Sequence, residues 1–185
     1  MEYFDKGKRG KIYLVKEIAI KKGLQVHINN EVRWLKVLNK YKIGPKLISY
    51  KNDCFRYKFV KGEFIINYSK KNSKIKIKKV LINVLKQCRI LDKLKINKLE
   101  LHNPYKHIII GKKIVMIDFE RCYKTDKPKN VSQFCQFLIS NKFSWVLMDR
   151  TIKIDKRELI NLVKKYKKNY YEKDFMKIIG YINKL

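Results

Sequence analysis

Between Ser73 and Leu94 the apolar residues Ile77, Val80, Leu81, Val84, Leu85, Cys88, Leu91 and Leu94 return at three- and four-residue intervals. That period predicts one long helix over 73–94 with a single core-facing side. Further along, the pattern changes. The apolar runs 108–110 and 114–117 flank Gly111-Lys112-Lys113, which is the signature of a β-hairpin. The second run stops abruptly at Asp118-Phe119-Glu120, and the loop before the hairpin holds Glu100, His102, Asn103, Lys106 and His107. Loop, hairpin and strand end together bring the carboxylates of Glu100 and Asp118 to one mouth. Two acids so placed suit a metal–phosphate site better than a packed core.

Before the long helix, residues 6–23 predict strands around a glycine turn: 6–11 with Gly7 and Gly10, then 12–15, then 18–23. Glycines let backbone N–H groups approach phosphates closely, although a Gly-x-x-Gly pair is also an ordinary hairpin turn. Alternation along Ile18-Ala19-Ile20-Lys21 puts Ala19 and Lys21 on one face; a register shifted by one would present Lys22 instead. A helix is expected from Asn29 or Asn30 as N-cap, with Val32, Leu35 and Leu38 as its stripe and Trp34 beside them. Glu31 opens that helix, where the helix dipole favours an acid and where a carboxylate could equally pair with Lys21. Residues 40–45 close the helix, 46–50 begin another strand, and a further strand runs towards Val60-Lys61-Gly62. After Glu120, three helices are expected: near 131–149, from an Asp155-x-x-Glu158 capping box to about 170, and over 172–185.

The 185 residues make one domain, or two lobes sharing a cleft, with 45% apolar residues, too many for a disordered chain. The net charge of +30 either marks an acidic partner such as RNA, DNA or an anionic surface, or reflects a lysine-rich compositional bias. The lysines are spread along the whole chain, which favours bias, with phosphate affinity as a by-product. Cys54, Cys88, Cys122 and Cys135 show no paired spacing, so reduced, packed thiols are expected rather than zinc or disulfides. Neither a signal peptide nor a membrane-length apolar run is read from the sequence, and the expected location is cytoplasmic.

Several of these residues carry a resemblance. Asp118-Phe119-Glu120 resembles the Asp-Phe-Gly of protein kinases, and Ile18-Ala19-Ile20-Lys21 is similar to their Val-Ala-Ile-Lys strand. Lys98-Leu99-Glu100-Leu101 sits where kinases carry His-Arg-Asp-Leu, or His-Gly-Asp-Leu in the RIO type and in the small kinase of the KEOPS complex. His107-Ile108-Ile109-Ile110 falls where those families have Asn followed by an apolar strand. With Glu in the base position and Asp-Phe-Glu after the hairpin, the chain resembles a group of small archaeal proteins described as predicted serine/threonine kinases.

The resemblance implies an α+β, minimal two-lobed kinase-like fold, with a β-rich lobe over 1–60 and a helical lobe over 61–185. It implies ATP and Mg²⁺ between them. Gly7 and Gly10 would approach the phosphates, Lys21 would hold them, Glu31 would pair with Lys21, and the backbone of Lys58 to Val60 would bind adenine. Asp118 would hold Mg²⁺ and Glu100 would act on the acceptor hydroxyl. His107, or Asn103 or Lys106 beside it, would stand at the second metal contact. The leading expectation is an ATP-dependent kinase acting on a Ser/Thr hydroxyl of a protein. The alternatives are a small-molecule or RNA-linked acceptor, with RNA or ribosome association through the basic surface, and a nucleic-acid-binding pseudokinase without turnover.

Overall fold

The computed structural model describes residues 2–6 and 10–185; the expected phosphate-loop glycine Gly7 lies outside the described residues. The N-terminal region is a five-stranded antiparallel sheet in the order β1-β2-β3-β5-β4. Its strands are β1 (Glu2–Lys6), β2 (Gly10–Val15), β3 (Ile18–Gly23), β4 (Leu47–Lys51) and β5 (Cys54–Lys58). Helix α1 (Gln25–Leu38) crosses between β3 and β4 and buries Ile28, Val32, Trp34, Leu35 and Leu38. The expected apolar stripe is therefore the packed face. Its start is not where Asn29 or Asn30 would place it. The helix begins at Gln25 behind Leu24, which offers no side-chain cap, so both asparagines are interior.

After β5 the chain passes through residues 59–62 into β6 (Glu63–Phe64) and α2 (Ile65–Lys71). Strand β6 pairs with a hairpin of β8 (Ile108–Ile110) and β9 (Ile114–Met116), in the register Ile108↔Met116. The hairpin read from the two apolar runs is thus observed. At its turn the linker passes so close that a Cβ on Gly111 would lie 2.1 Å from the Lys61 carbonyl oxygen. Only glycine allows that approach.

The long helix α3 (Lys74–Lys93) is the axis of the C-terminal region, with Ile77, Leu81, Val84, Leu85, Cys88 and Leu91 inaccessible to solvent. A ribbon of two three-residue strands, β7 (Ile96–Lys98) and β10 (Cys122–Lys124), joins the start of the acid loop to the segment after Asp118. The last third holds four helices rather than three: α4 (Asn130–Leu138), α5 (Asn141–Met148), α6 (Lys156–Asn169) and α7 (Glu172–Lys184). The break falls at Ser140, whose hydroxyl turns back to donate to the Phe137 carbonyl at 2.7 Å, the local competition that ends helices at serine. The bend lets Phe137 and Phe143 stack with ring centroids 4.3 Å apart. The cap at Asp155 is as read: its carboxylate accepts from the Glu158 N–H at 3.0 Å. The protein is α+β, with a sheet region followed by a helical one, and none of its described helices is long and apolar enough to cross a membrane.

Candidate functional site

Strand alternation turns Lys21 inward while Lys22 is exposed, which settles the register. The Lys21 ammonium lies 2.6 Å from Glu31 Oε2, 2.8 Å from Asp118 Oδ1 and 3.2 Å from Glu120 Oε2. Because α1 starts early, Glu31 sits in its second turn, facing the sheet and 3% exposed. A dipole preference for acids in the first turn therefore does not explain it. Its other oxygen accepts the Phe119 N–H at 3.1 Å, so this one carboxylate fixes both the strand lysine and the segment after β9.

Two more residues of α1 hold the same segment. Asn30 Nδ2 donates to the carbonyls of Glu120 at 2.7 Å and Cys122 at 3.2 Å, and Trp34 Nε1 donates to Cys122 at 2.8 Å. Asn30 is a clamp on the carbonyls of the acid segment, not a cap. Between the clamp residues Phe119 is fully buried. Asp118 itself has φ +67°, a left-handed backbone that costs a non-glycine residue about 1–3 kcal/mol. The surrounding bonds impose it: the Ile117 N–H donates to the His107 carbonyl at 3.0 Å, the Phe119 N–H to Glu31, and Lys98 Nζ to the Asp118 carbonyl.

Glu100 lies in a short 3-10 turn after β7 and is 6% exposed. Its Oε2 accepts from Lys98 Nζ at 3.0 Å. Its Oε1 is buried without a hydrogen-bond partner, with Arg121 Nε 3.8 Å away. His107 Nδ1 lies 3.6 Å from Asp118 Oδ2 and also has no hydrogen-bond partner. Lys21, Glu31, Asp118, Glu100 and His107 are therefore gathered in one region.

The remaining expected site residues sit differently. Gly10 pairs with Gly23, and a Cβ there would lie 2.6 Å from the Lys22 carbonyl oxygen, so close strand packing already requires a glycine at this position. Lys58 ends β5 and Val60 follows it. Of the stretch 58–60, the N–H groups of Lys58 and Phe59 donate to the Lys46 and Glu17 carbonyls, so neither of those two donors is left for a bound base.

Burial is the largest influence on the Lys21 ammonium and pulls it down, yet Glu31, Asp118 and Glu120 together hold it well above the ordinary lysine range. Burial likewise pushes the Asp118 carboxyl up, but Lys21 and Lys98 outweigh it and keep that group below the usual aspartate value. Glu31, the most enclosed of the three acids, is held high by burial despite Lys21. Burial and the nearby Lys98 charge push the His107 imidazole down, and burial lifts the Cys122 thiol to about 12, which leaves it inert.

Oxygens of Glu31, Asp118 and Glu120 all lie within 4.8 Å of one another. Such a set of hard donors fits Mg²⁺, whereas the nitrogen of His107 does not. No protein-family model matches this chain, and no curated protein matches it. Two residues of the site escaped the sequence reading. Glu120 was legible only as an acid two positions beyond Asp118. Lys98 was read only as a departure at the first position of the Lys98-Leu99-Glu100-Leu101 stretch, and nothing marked it as the completely buried lysine among 46 basic residues.

Proposed function

We propose that the protein is an ATP- and Mg²⁺-dependent phosphotransferase with a minimal two-lobed kinase-like fold, acting on a serine or threonine hydroxyl of a protein. One observation carries this reading: a strand lysine lies within hydrogen-bonding distance of three carboxylates drawn from a helix and from a distant loop. A buried cluster with excess negative charge opposes folding, and a phosphate–metal ligand gives that arrangement a use. Lys21 holds the nucleotide phosphates, and Asp118 with Glu31 and Glu120 would hold Mg²⁺, which when bound neutralises phosphate charge. Glu100 Oε1, buried and without a donor, is free to accept the proton of an acceptor hydroxyl. The acceptor oxygen then attacks the terminal phosphorus and ADP departs; positioning and charge supply most of the catalysis.

A second acceptor class, a small-molecule or RNA-linked hydroxyl, is favoured by Arg121. This partly exposed cation beside Glu100 would attract an acceptor carrying its own anionic group. Calorimetry of ATP binding with and without Mg²⁺, on wild type beside Asp118→Asn, tests the shared core of both. Metal-dependent binding that is lost in the variant is expected; wild type that binds no nucleotide would overturn the reading.

A further inference from the structure

Lys98 lies at the centre of the acid loop, yet neither phosphate nor acceptor can reach it. Its side chain has no solvent exposure, and its contacts are all acceptors: Glu100 Oε2 at 3.0 Å, the Asp118 carbonyl oxygen, and the face of Phe119, 4.6 Å from the ring centroid. An ammonium has three hydrogens to donate and nothing to accept with, so these three surroundings match it. Its backbone is fixed as well, the Lys98 N–H donating to Asn130 Oδ1 at 2.8 Å.

We propose that Lys98 is a built-in cation that takes the place of a second metal ion, so that the site binds its nucleotide with a single divalent ion. The proposal rests on the phosphotransfer reading above. Four carboxylates, those of Glu31, Glu100, Asp118 and Glu120, meet two ammonium groups, Lys21 and Lys98, and the guanidinium of Arg121 beside Glu100. Among the described residues, only Glu31, Asp118 and Glu120 form a group of three side chains able to hold a metal, and all three bond Lys21. Towards Glu100, Lys98 engages Oε2 and the Arg121 guanidinium stands 3.8 Å from Oε1, and the remaining candidate is the His107 nitrogen, which Mg²⁺ disfavours. Lys98 thereby acts as a positioning residue: it holds the Glu100 carboxylate and the left-handed Asp118 backbone in fixed relation.

The test counts bound Mn²⁺ by electron paramagnetic resonance on the full chain saturated with a non-hydrolysable ATP analogue. Wild type should hold a single Mn²⁺ per protein, and the count should not rise with further metal. Lys98→Gln exposes Glu100 and Asp118 to each other and should admit a second Mn²⁺, while Lys98→Arg restores the single one. A lysine with a purely structural role would change the melting temperature and leave the count alone. Two ions on wild type, or an unchanged count in Lys98→Gln, overturns the proposal; the wild-type count decides even where Lys98→Gln fails to fold. Wild type that binds neither nucleotide nor metal removes the phosphotransfer reading itself, whereas two ions bound with nucleotide sinks only the role of Lys98.

Discussion

Lys21 and Asp118 stand 97 residues apart in the chain and 2.8 Å apart in the fold. Lys21 is the common counter-charge of three carboxylates, so Lys21→Met leaves a buried cluster of like charge. The expected loss of stability is about 3–5 kcal/mol at neutral pH, the usual cost of breaking a buried ion pair. Chemical denaturation of the variant should show much of that loss recovered when Mg²⁺ is added, because the vacated carboxylates then bind the ion more tightly.

The positive φ of Asp118 separates its backbone role from its chemistry. Asp118→Ala and Asp118→Gly both remove the carboxylate and should both lose metal-dependent nucleotide binding. Glycine accepts a left-handed backbone that alanine resists, so Asp118→Gly should be the more stable of the two by about 1 kcal/mol in urea titrations. Equal stability would mean that the surrounding bonds do not enforce the left-handed geometry.

Glu100→Gln keeps the shape of the loop and removes the proposed proton acceptor. Turnover should fall by about 10²–10⁴-fold, the typical contribution of a general base, with nucleotide affinity within a factor of about 3. An equal loss of binding and turnover would assign Glu100 a structural task alone.

The acid loop is also tied to the far helices. Asp92 on α3 accepts from Tyr166 OH at 2.7 Å and from Asn130 Nδ2 at 2.7 Å, and Asn130 in turn accepts the Lys98 N–H. Burial holds the Asp92 carboxyl above its ordinary 3.8, with the donors of Tyr166 and Asn130 opposing it. An acid raised in the fold keeps its proton at pH values where the unfolded chain has lost it. Its contribution is therefore most favourable below 3.8 and declines as pH climbs through the folded value. Asp92→Asn cannot ionise, so its stability relative to wild type should improve as pH rises from about 4 towards neutrality. Denaturant midpoints at several pH values measure this slope. The same variant should still be weaker than wild type near neutrality, by about 1–3 kcal/mol, because the amide offers one acceptor where the carboxylate offered two.

Local signals predicted local structure well. The three- and four-residue period marked α3, the paired apolar runs marked the hairpin, and the capping pair at Asp155 and Glu158 marked the start of α6. What stayed hidden depends on distant partners. The start of α1 at Gln25 has no cap residue to announce it, and Asn30 looked like a cap because its true acceptors, the carbonyls of Glu120 and Cys122, are about ninety residues away. The break at Ser140, where the hydroxyl turns back to the Phe137 carbonyl, leaves no mark in the apolar pattern. Strands β7 and β10 are three residues each, too short for an alternation to show. Of the site, Lys21 and Asp118 were legible because each ends an apolar run, Glu31 because it precedes the apolar stripe of α1, and Glu100 because it lies in the polar loop before the hairpin, whereas the burial of Lys98 leaves no mark in the sequence.

The clamp from α1, in which Asn30 and Trp34 hold the carbonyls of Glu120 and Cys122, bears on how the proposed nucleotide would be met. These bonds form when the chain folds and need no nucleotide to complete them, so the acid segment is preorganised. Little conformational entropy remains to be lost on binding. The slow part of association should then be the exchange of Lys21's carboxylate partners for phosphate oxygens, an electrostatic rearrangement sensitive to ionic strength rather than a closing motion.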